Sequence, residues 1–597
     1  MKPIRVHTLH ASIAQRRMEN FFRKAAPGAF AATVAIFFVV TAARAAWTPD
    51  GTALSVAANN QQYPMVVSDD AGGAIVVWRD YRGGTTCDIY AQRVDASGLP
   101  QWATNGVAIS VEANNQDWPT VVSDGAGGAI VAWQDARTSP FTHIYAQRIN
   151  ASGASQWALN GVAVCTAAYE QRNPVIASDG AGGAIVAWRD YRSGTNWDIY
   201  AQRVSASGVP QWPANGVSLC SAPYNQLTTT PADVPSIVTD GAGGAIVTWF
   251  DFRNDDLEAD IYAQRVNAAG AVQWTSDGIG VCTATGDQEY PAIVSDGAAG
   301  AIVTWWDRRG GETDVYAQRL GALGAPQWTA QGVAVCTAPN DQFTTSMIPD
   351  GTGGAMIAWI DRRAQPDQTN TFDIYAQRVS ASGIPQWAGD GAAISVAANS
   401  QINPKLVSDD AGGAILTWYD NRSGTNDDIY AQRVDASGAS QWSADGLAVC
   451  SAANNQFSPT IVRDGAGGAI LAWYDHRSGT NDDIYVQHLN ASGSAITTAV
   501  PGSKSPTFFV GQLHPNPFST TATLDILLPV ASSAEITIYD VAGRAVRTIA
   551  VADSGGRSRS VSFDGRDGHG RLLANGVYFA RVRANGMSIT RKMVIAR

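Results

Sequence analysis

Tryptophan recurs at nearly fixed intervals over most of this 597-residue chain, at Trp47, Trp102, Trp157, Trp212, Trp274, Trp328, Trp387 and Trp442. The spacings are 55, 55, 55, 62, 54, 59 and 55, and the last unit runs out near Ser494. A period of this kind means one small structural unit, repeated, whose apolar faces are covered by its neighbours.

The third unit shows the blocks. Gly161–Cys165 is a short apolar strand, A, and Pro174–Ser178 is strand B. Asp179-Gly180-Ala181-Gly182-Gly183 is a turn, because Asp caps locally and Gly supplies positive φ. Ala184–Asp190 is strand C, apolar on both faces, and Asp198–Val204 is strand D, which alternates. Four strands in about 55 residues make one small antiparallel sheet with two faces to cover, and stacking such sheets around an axis covers both. An independent seven-strand sandwich needs ~100 residues, which argues against a string of sandwiches. The expected fold is therefore all-β: an eight-bladed β-propeller over residues 46–496.

Composition agrees. The chain has 45 Asp but seven Glu, and 36 Arg but five Lys, so common fillers of helix surfaces are nearly missing. The net charge of −11 is an average over unlike parts. Residues 1–45 carry +6, residues 46–508 carry −22, and residues 509–597 carry +5. An acidic body excludes nucleic acid as the main partner. The basic first segment, the apolar run Gly28–Ala43 and the Ala43-Arg44-Ala45 site read as a signal peptide over residues 1–45. The apolar run is shorter than the ~20 residues that span a bilayer, so no transmembrane segment is expected in the mature chain.

Every unit ends strand C with Trp-x-Asp-x-Arg: Trp78/Asp80/Arg82, Trp133/Asp135/Arg137, Trp188/Asp190/Arg192, Trp249/Asp251/Arg253, Trp305/Asp307/Arg309, Trp359/Asp361/Arg363, Trp418/Asp420/Arg422 and Trp473/Asp475/Arg477. Period two places all three residues on one face. An active site is used once per propeller, whereas this motif occurs eight times, so it reads as scaffold: Trp as a wedge between blades, Asp as partner of Arg and backbone N–H groups. Cys165, Cys220, Cys282, Cys336 and Cys450 share one repeat position and read as buried thiols acting as small apolar residues. No cofactor is implied. The densest acidic loop, Asp255, Asp256, Glu258 and Asp260, is the candidate calcium (Ca2+) site, though it lacks the spacing of an EF-hand.

The Asp-Gly turn and the Trp together faintly resemble the Asp-box hairpins of sialidase-like propellers, but nine residues separate Asp179 from Trp188, farther than in an Asp-box. Two-carboxylate chemistry would have to fall to Asp or to Glu112, Glu170, Glu258, Glu289 or Glu312, and no single-copy acid/base set is apparent. Function should instead lie where the repeats differ. Unit four has insertions at Leu227–Ala232 and Asn254–Ala259, and unit six at Ala364–Phe372. If A is the innermost strand, these loops leave on one rim, and Trp197, Phe250, Phe252 and Trp306 are the aromatic outliers near it. They are the candidate ligand-binding residues, for a glycan or a protein.

After a linker at 497–508 the repeat gives way to a different module, 509–597, with clear strand signals and hairpin turns of a small β-sandwich. Its ordered motifs are Asn516-Pro517-Phe518, ITIYDVAGRAV with Gly543, FDGRDGHG with Asp564, Gly565, Asp567 and Gly570, and NGVYF with Gly576 and Tyr578. This module resembles the type A C-terminal sorting domain of the type IX (Por) secretion system and is similar to the immunoglobulin-like domain of the flagellar hook-capping protein FlgD. The resemblance implies export through the periplasm to the cell surface or medium, with the type IX machinery as partner. The reading is an exported binding or adhesion scaffold; the alternatives are a secreted carbohydrate-active enzyme and a structural surface-layer component.

Overall fold

The computed structural model describes residues 47–227, 234–254, 258–364, 371–494, 509–514, 516–527, 534–551, 558–584 and 587–597. The leader, the linker, Asp255, Asp256, the hairpin turn at 585–586 and most of the unit-four and unit-six insertions lie outside the described residues.

All regular elements among the described residues are strands. The first sheet contains strand B at Gln61–Ser68, strand C at Ala74–Asp80, strand D at Asp88–Val94 and, last, strand A of the next unit at Val107–Ser110. This corrects the expectation that one unit builds one sheet with A innermost. B is innermost, and A of the following unit covers the outer edge of D. Strand D would otherwise present an unpaired edge, and the chain reverses at Asp95–Gly98 to bring A back against it. Among the described residues, eight four-stranded sheets of this kind stand side by side as in a propeller. Their inner strands touch in sequence around the ring, the last against the first.

The ring closes by the same strand exchange. Thr52–Ser55, from the first unit, pairs with strand D of the eighth, with Thr52 opposite Val486 and Ser55 opposite Ile484. Both the A–B and the C–D loops leave on one rim: Ser110 ends strand A beside Ile89 at the start of D, and Gln116 begins the next B strand opposite Asp135.

Strand C is sealed on both faces, and Ala74 through Trp78 have no solvent exposure. The apolar clusters run between blades. Trp133 packs with Ile75 and Val77 of the preceding blade, and Trp78 with Ile470 and Ala472 of the eighth. On the rim opposite to the loops, Asp69 caps its own turn, accepting from the N–H groups of Ala71 at 2.8 Å and Gly73 at 2.7 Å. A Cβ at Gly73 would lie 2.2 Å from the Val94 carbonyl oxygen, so the second Gly of the turn is a packing requirement. Arg93 of strand D donates to Asp69 and crosses to the next blade, reaching the Ala151 carbonyl at 3.0 Å. The same cross-blade bond recurs up to Arg433 and Ala491. The eighth unit has His488 there instead, 2.7 Å from Asp464 and edge-on to Trp47 with ring centroids 5.6 Å apart.

The C-terminal module has its own core, with Phe518, Leu524, Ile536, Val582 and Met593 between a three-stranded and a four-stranded sheet. It gains one strand the sequence reading did not anticipate, Phe509–His514.

The seam places a specific burden on Trp47, which is 1% exposed and donates to the Ala96 carbonyl at 3.2 Å. Trp47→Ala should cost about 3–5 kcal/mol by leaving a cavity at the closing contact. Thermal unfolding checks this against Leu323→Ala, a residue 91% exposed; equal melting temperatures for the two variants would show that the seam does not limit stability.

Candidate functional site

The repeated motif is a closed hydrogen-bonding circuit. In the first unit the fully buried Asp80 accepts from Trp78 Nε1 at 2.7 Å, from the Arg82 N–H and Nε at 2.9 Å each, and from Arg82 Nη2 at 2.6 Å. Arg82 also reaches the Asn105 carbonyl at 2.7 Å and stacks over Tyr90 at 3.7 Å. A Cβ on Gly106, at φ 86°, would meet the Trp78 ring at 2.6 Å. These groups satisfy one another, which leaves them little to offer a ligand.

The circuit is the same around the ring. Asp135 and Asp190 accept from Trp133 and Trp188 Nε1 at 2.7 Å. Asp251, Asp307, Asp361 and Asp420 accept from Trp249, Trp305, Trp359 and Trp418 at 2.8 Å, and Asp475 from Trp473 at 2.9 Å. Each of these carboxylates also accepts from the Nη2 of its own motif Arg, and none has any solvent exposure. The Arg and backbone N–H partners expected for the motif Asp are present, and the Trp supplies a further donor. The indole N–H is the buried donor that lets Asp251, Asp307, Asp361, Asp420 and Asp475, like Asp80, Asp135 and Asp190, be sealed away from water. None of the eight can act as an exposed acid.

The five repeat cysteines are buried in the apolar core, as expected, and they also join this circuit. Arg192 Nη2 donates to Cys165 Sγ at 3.4 Å, as Arg82 does to Ser55 Oγ at 3.4 Å in the first unit. All six cysteines are buried and unbridged. Burial pushes the Cys165 thiol up to about 12, with the nearby Asp190 carboxylate adding to it, so the sulfur stays protonated.

The positions between the repeated ones break the symmetry. The residue between Trp and Asp on strand C is Arg79, Gln134 and Arg189 in the first three units, then Phe250, Trp306, Ile360, Tyr419 and Tyr474. Its partner on strand B is Gln62, Asp117 and Arg172 in the first three units and Glu289, Phe343, Ile402 and Phe457 in units five to eight. On strand C this position is thus polar in units one to three and aromatic or apolar in units four to eight, while Tyr63 and Trp118 of strand B add rings to the polar side. Strand B bulges just past this pair, and the bulge puts Tyr63, Trp118 and Tyr290 at φ 53°, 52° and 52°. Left-handed backbone costs a side chain about 1–2 kcal/mol per residue, so these rings are held out at a cost to stability.

The aromatic side chains join into arcs around the mouth. Trp118, Tyr63 and Tyr474 follow one another at 6.2 and 5.5 Å, and Phe457 and Tyr419 continue the row. Phe252, Phe250, Tyr290, Trp306, Phe343 and Phe372 form a second row, tightest at 4.1 Å between Tyr290 and Trp306. Three of the candidate residues, Phe250, Phe252 and Trp306, therefore lie together, with Phe250 buried as support for its neighbours. Trp197 lies apart from them. It sits 5.0 Å from Tyr191 and under Arg189 at 4.7 Å, and it lines a 370 Å³ cavity with Phe141, Tyr169, Glu170, Tyr191, Thr195 and Asn225. The sequence reading found Trp197 but missed Tyr63, Trp118 and Tyr290, although Pro after an aromatic in strand B marks the bulge.

Of the candidate calcium residues, Asp255 and Asp256 lie outside the described residues. Asp260 accepts from Asn254 at 2.6 Å and Glu258 from the Gly286 N–H at 3.2 Å. No group of three or more metal-ligating side chains occurs among the described residues.

The sorting-motif residues fasten the end of the C-terminal module. Asn516 bonds the Val594 N–H and the Lys592 carbonyl, and Phe518 exchanges backbone bonds with Val594 and Ala596. Asp564 accepts from Arg547, and Asp567 caps the turn through His569 and Arg571. Gly543, Gly570 and Gly576 take positive φ, and the Gly565 carbonyl accepts from Arg597 at 3.0 Å. Tyr578 OH donates to the Ala574 carbonyl at 3.0 Å.

Residues 512–596 match the family of secretion system C-terminal sorting domains. The terminal module is a type IX sorting domain. It directs the chain to the outer cell surface or the extracellular space. Among the described residues no helix is long and apolar enough to cross a membrane. No curated protein matches the chain. Among solved structures it is similar to PorZ, a surface component of the type IX secretion system of Porphyromonas gingivalis, at 12% identity over 92% of this chain and 82% of that one, TM-score 0.25. It is also similar to an α-L-arabinanase of Penicillium chrysogenum, at 12% identity over 66% and 98%, TM-score 0.31, and to the Hadza microbial sialidase Hz136, at 11% over 56% and 71%, TM-score 0.29.

The rim also carries a ring of acids. Strand D begins with Asp in seven units, each opposite the motif Asp in register, as Asp88 opposite Asp80. Burial, then repulsion from Asp190, raises Asp198 to about 7; burial and the corresponding carboxylate raise Asp88 and Asp373 to about 6. The second unit has His143 at this position, and its Nδ1 lies 2.7 Å from Gln171 Oε1. The equivalent amide oxygens of Gln116, Gln226, Gln288, Gln342, Gln401 and Gln456 have no partner among the described residues. Protonated, the strand-D acids are expected to donate to them as His143 does. Because their folded pKa values exceed the ordinary one, their contribution is full below about 4 and is lost as pH rises through 6–7. The melting temperature should therefore rise between pH 8 and pH 5, and Asp198→Asn should flatten the rise. A profile that is flat, or that falls over this range, counts against the protonated ring.

Proposed function

We propose that the protein is an exported glycan-binding scaffold, with sugar rings held at the loop-bearing mouth of the propeller. The observation that carries the reading is the set of aromatic side chains at positions whose residue type varies between units, joined into rows around a mouth that also carries Arg79, Asp117 and Arg189. Aromatic faces receive the apolar faces of sugar rings, while groups such as Thr195, Asn225 and Glu170 at the Trp197 cavity can fix hydroxyls. A cavity of 370 Å³ suits one or two sugar units.

A hydrolase reading is less well supported. Glycoside hydrolysis by two carboxylates needs both beside the scissile bond. Among the described residues that line the Trp197 cavity, Glu170 is the one acid, and it is 2.7 Å from Arg172.

A glycan array with the purified chain tests the proposal, followed by calorimetry on the best ligand. Trp197→Ala and Tyr63→Ala are expected to weaken binding about tenfold or more each, with the melting temperature little changed at the exposed Tyr63. Uniform silence on the array, or a ligand whose affinity neither variant alters, rejects it. Sorting is checked separately: residues 505–597 fused to a periplasmic reporter should carry it to the surface in a type IX-competent host, whereas Tyr578→Ala, which frees the Ala574 carbonyl, should leave more of it in the periplasm.

A further inference from the structure

We propose that the axial channel of the propeller binds a small oxyanion at Lys405. Among residues 46–496 this is the only lysine. It lies on the inner strand Gln401–Ser408, directly after the bulge, opposite Thr417. The other units place Met65, Thr120, Val175, Ser236, Ala292, Ser346 and Thr460 at this position. All of these residues keep partial or full solvent exposure, while the C strands behind them are sealed. In a closed ring, the solvent that reaches the middle of an innermost strand is the water on the axis. The ring of side chains at this level therefore faces the channel, and Lys405 is its one charge.

The ammonium group has no carboxylate partner among the described residues. None of them forms a hydrogen bond or ion pair with it, and loss of hydration is the sole influence on its pKa, which it lowers. An unpaired ammonium in a confined space is unfavourable, and an entering anion removes that cost. Units six and eight flank unit seven, so the hydroxyls of Ser346 and Thr460 lie on the neighbouring inner strands and can donate to the same ligand. The ligand class is a carboxylate or phosphate-type oxyanion, either free or carried on a sugar acid entering from the mouth. This inference stands apart from the glycan reading, since it needs the channel and not the aromatic arcs.

Reductive methylation with ¹³C-formaldehyde labels the lysines and the N-terminal amine. Lys405 can be assigned by comparison with Lys405→Met, a side chain the first unit already accommodates as Met65. The probes are inorganic phosphate, glucuronate and neutral glucose. A saturable shift of the Lys405 methyl signal with phosphate, with glucuronate or with both supports the site, and the pattern tells a free ion from a sugar acid. Lys405→Met should melt higher than the wild type without anion and lose the anion-dependent rise in melting temperature. The proposal fails if Lys405 does not respond, if Lys504 and Lys592 shift equally, if glucose produces the same shift, or if Lys405→Met keeps the anion-dependent rise.

Discussion

A buried carboxylate holds each blade in register. Asp80 and its equivalents, on to Asp475 in the eighth unit, have no solvent exposure, and each would be intolerable inside a propeller without donors. The sequence supplies those donors within four residues, from the Trp two before it and the Arg two after. The Arg then ties the carboxylate to a backbone carbonyl in the turn of the next unit, so an interaction that is local in sequence also locks one unit to another. Buried ion pairs add little net stability compared with apolar packing, and their usual role is to fix geometry. Here that role is repeated in every blade, and the large tryptophans can interdigitate because their indole N–H groups are already satisfied.

Much of the fold was legible because repetition separates what the scaffold needs from what it does not. The Trp intervals gave the number and size of units, and the Asp-Gly turns and alternating strand D gave the strand pattern. The strand exchange was not legible, because a period has no phase: a 55-residue repeat reads the same wherever the unit is cut. The cysteines were legible as buried free thiols, but not as part of the hydrogen-bonding circuit. An apolar strand end looks like core, and only the Arg approaching Cys165 Sγ shows that sulfur and the Ser55 hydroxyl do one job.

The candidate site was legible only in part. Trp197, Phe250, Phe252 and Trp306 stand out as large rings at positions whose residue type varies between units. Tyr63, Trp118 and Tyr290 do not, because their position depends on a bulge that turns the side chain toward the mouth, and composition carries no trace of φ. The useful contrast lies between repeated and unrepeated positions on one strand. Trp and Asp of strand C are constant, while the residue between them runs from Arg to Phe to Tyr around the ring. A rigid, uniform frame lets these few positions vary without disturbing the fold.

The exchange of one strand between consecutive units has a consequence for how such a chain grows. Each unit donates its first strand backward and receives one from ahead, so duplicating or losing a whole internal unit leaves the strand pairing at the remaining junctions unchanged. Ring size is then free to change by gene duplication, limited by the angle between blades. The same arrangement makes assembly all-or-none. The partner of Thr52–Ser55 lies more than four hundred residues downstream, and until strand D of the eighth unit emerges the ring stays open at both ends. A protein that must pass through membranes before it works therefore postpones its final shape until its whole length is available.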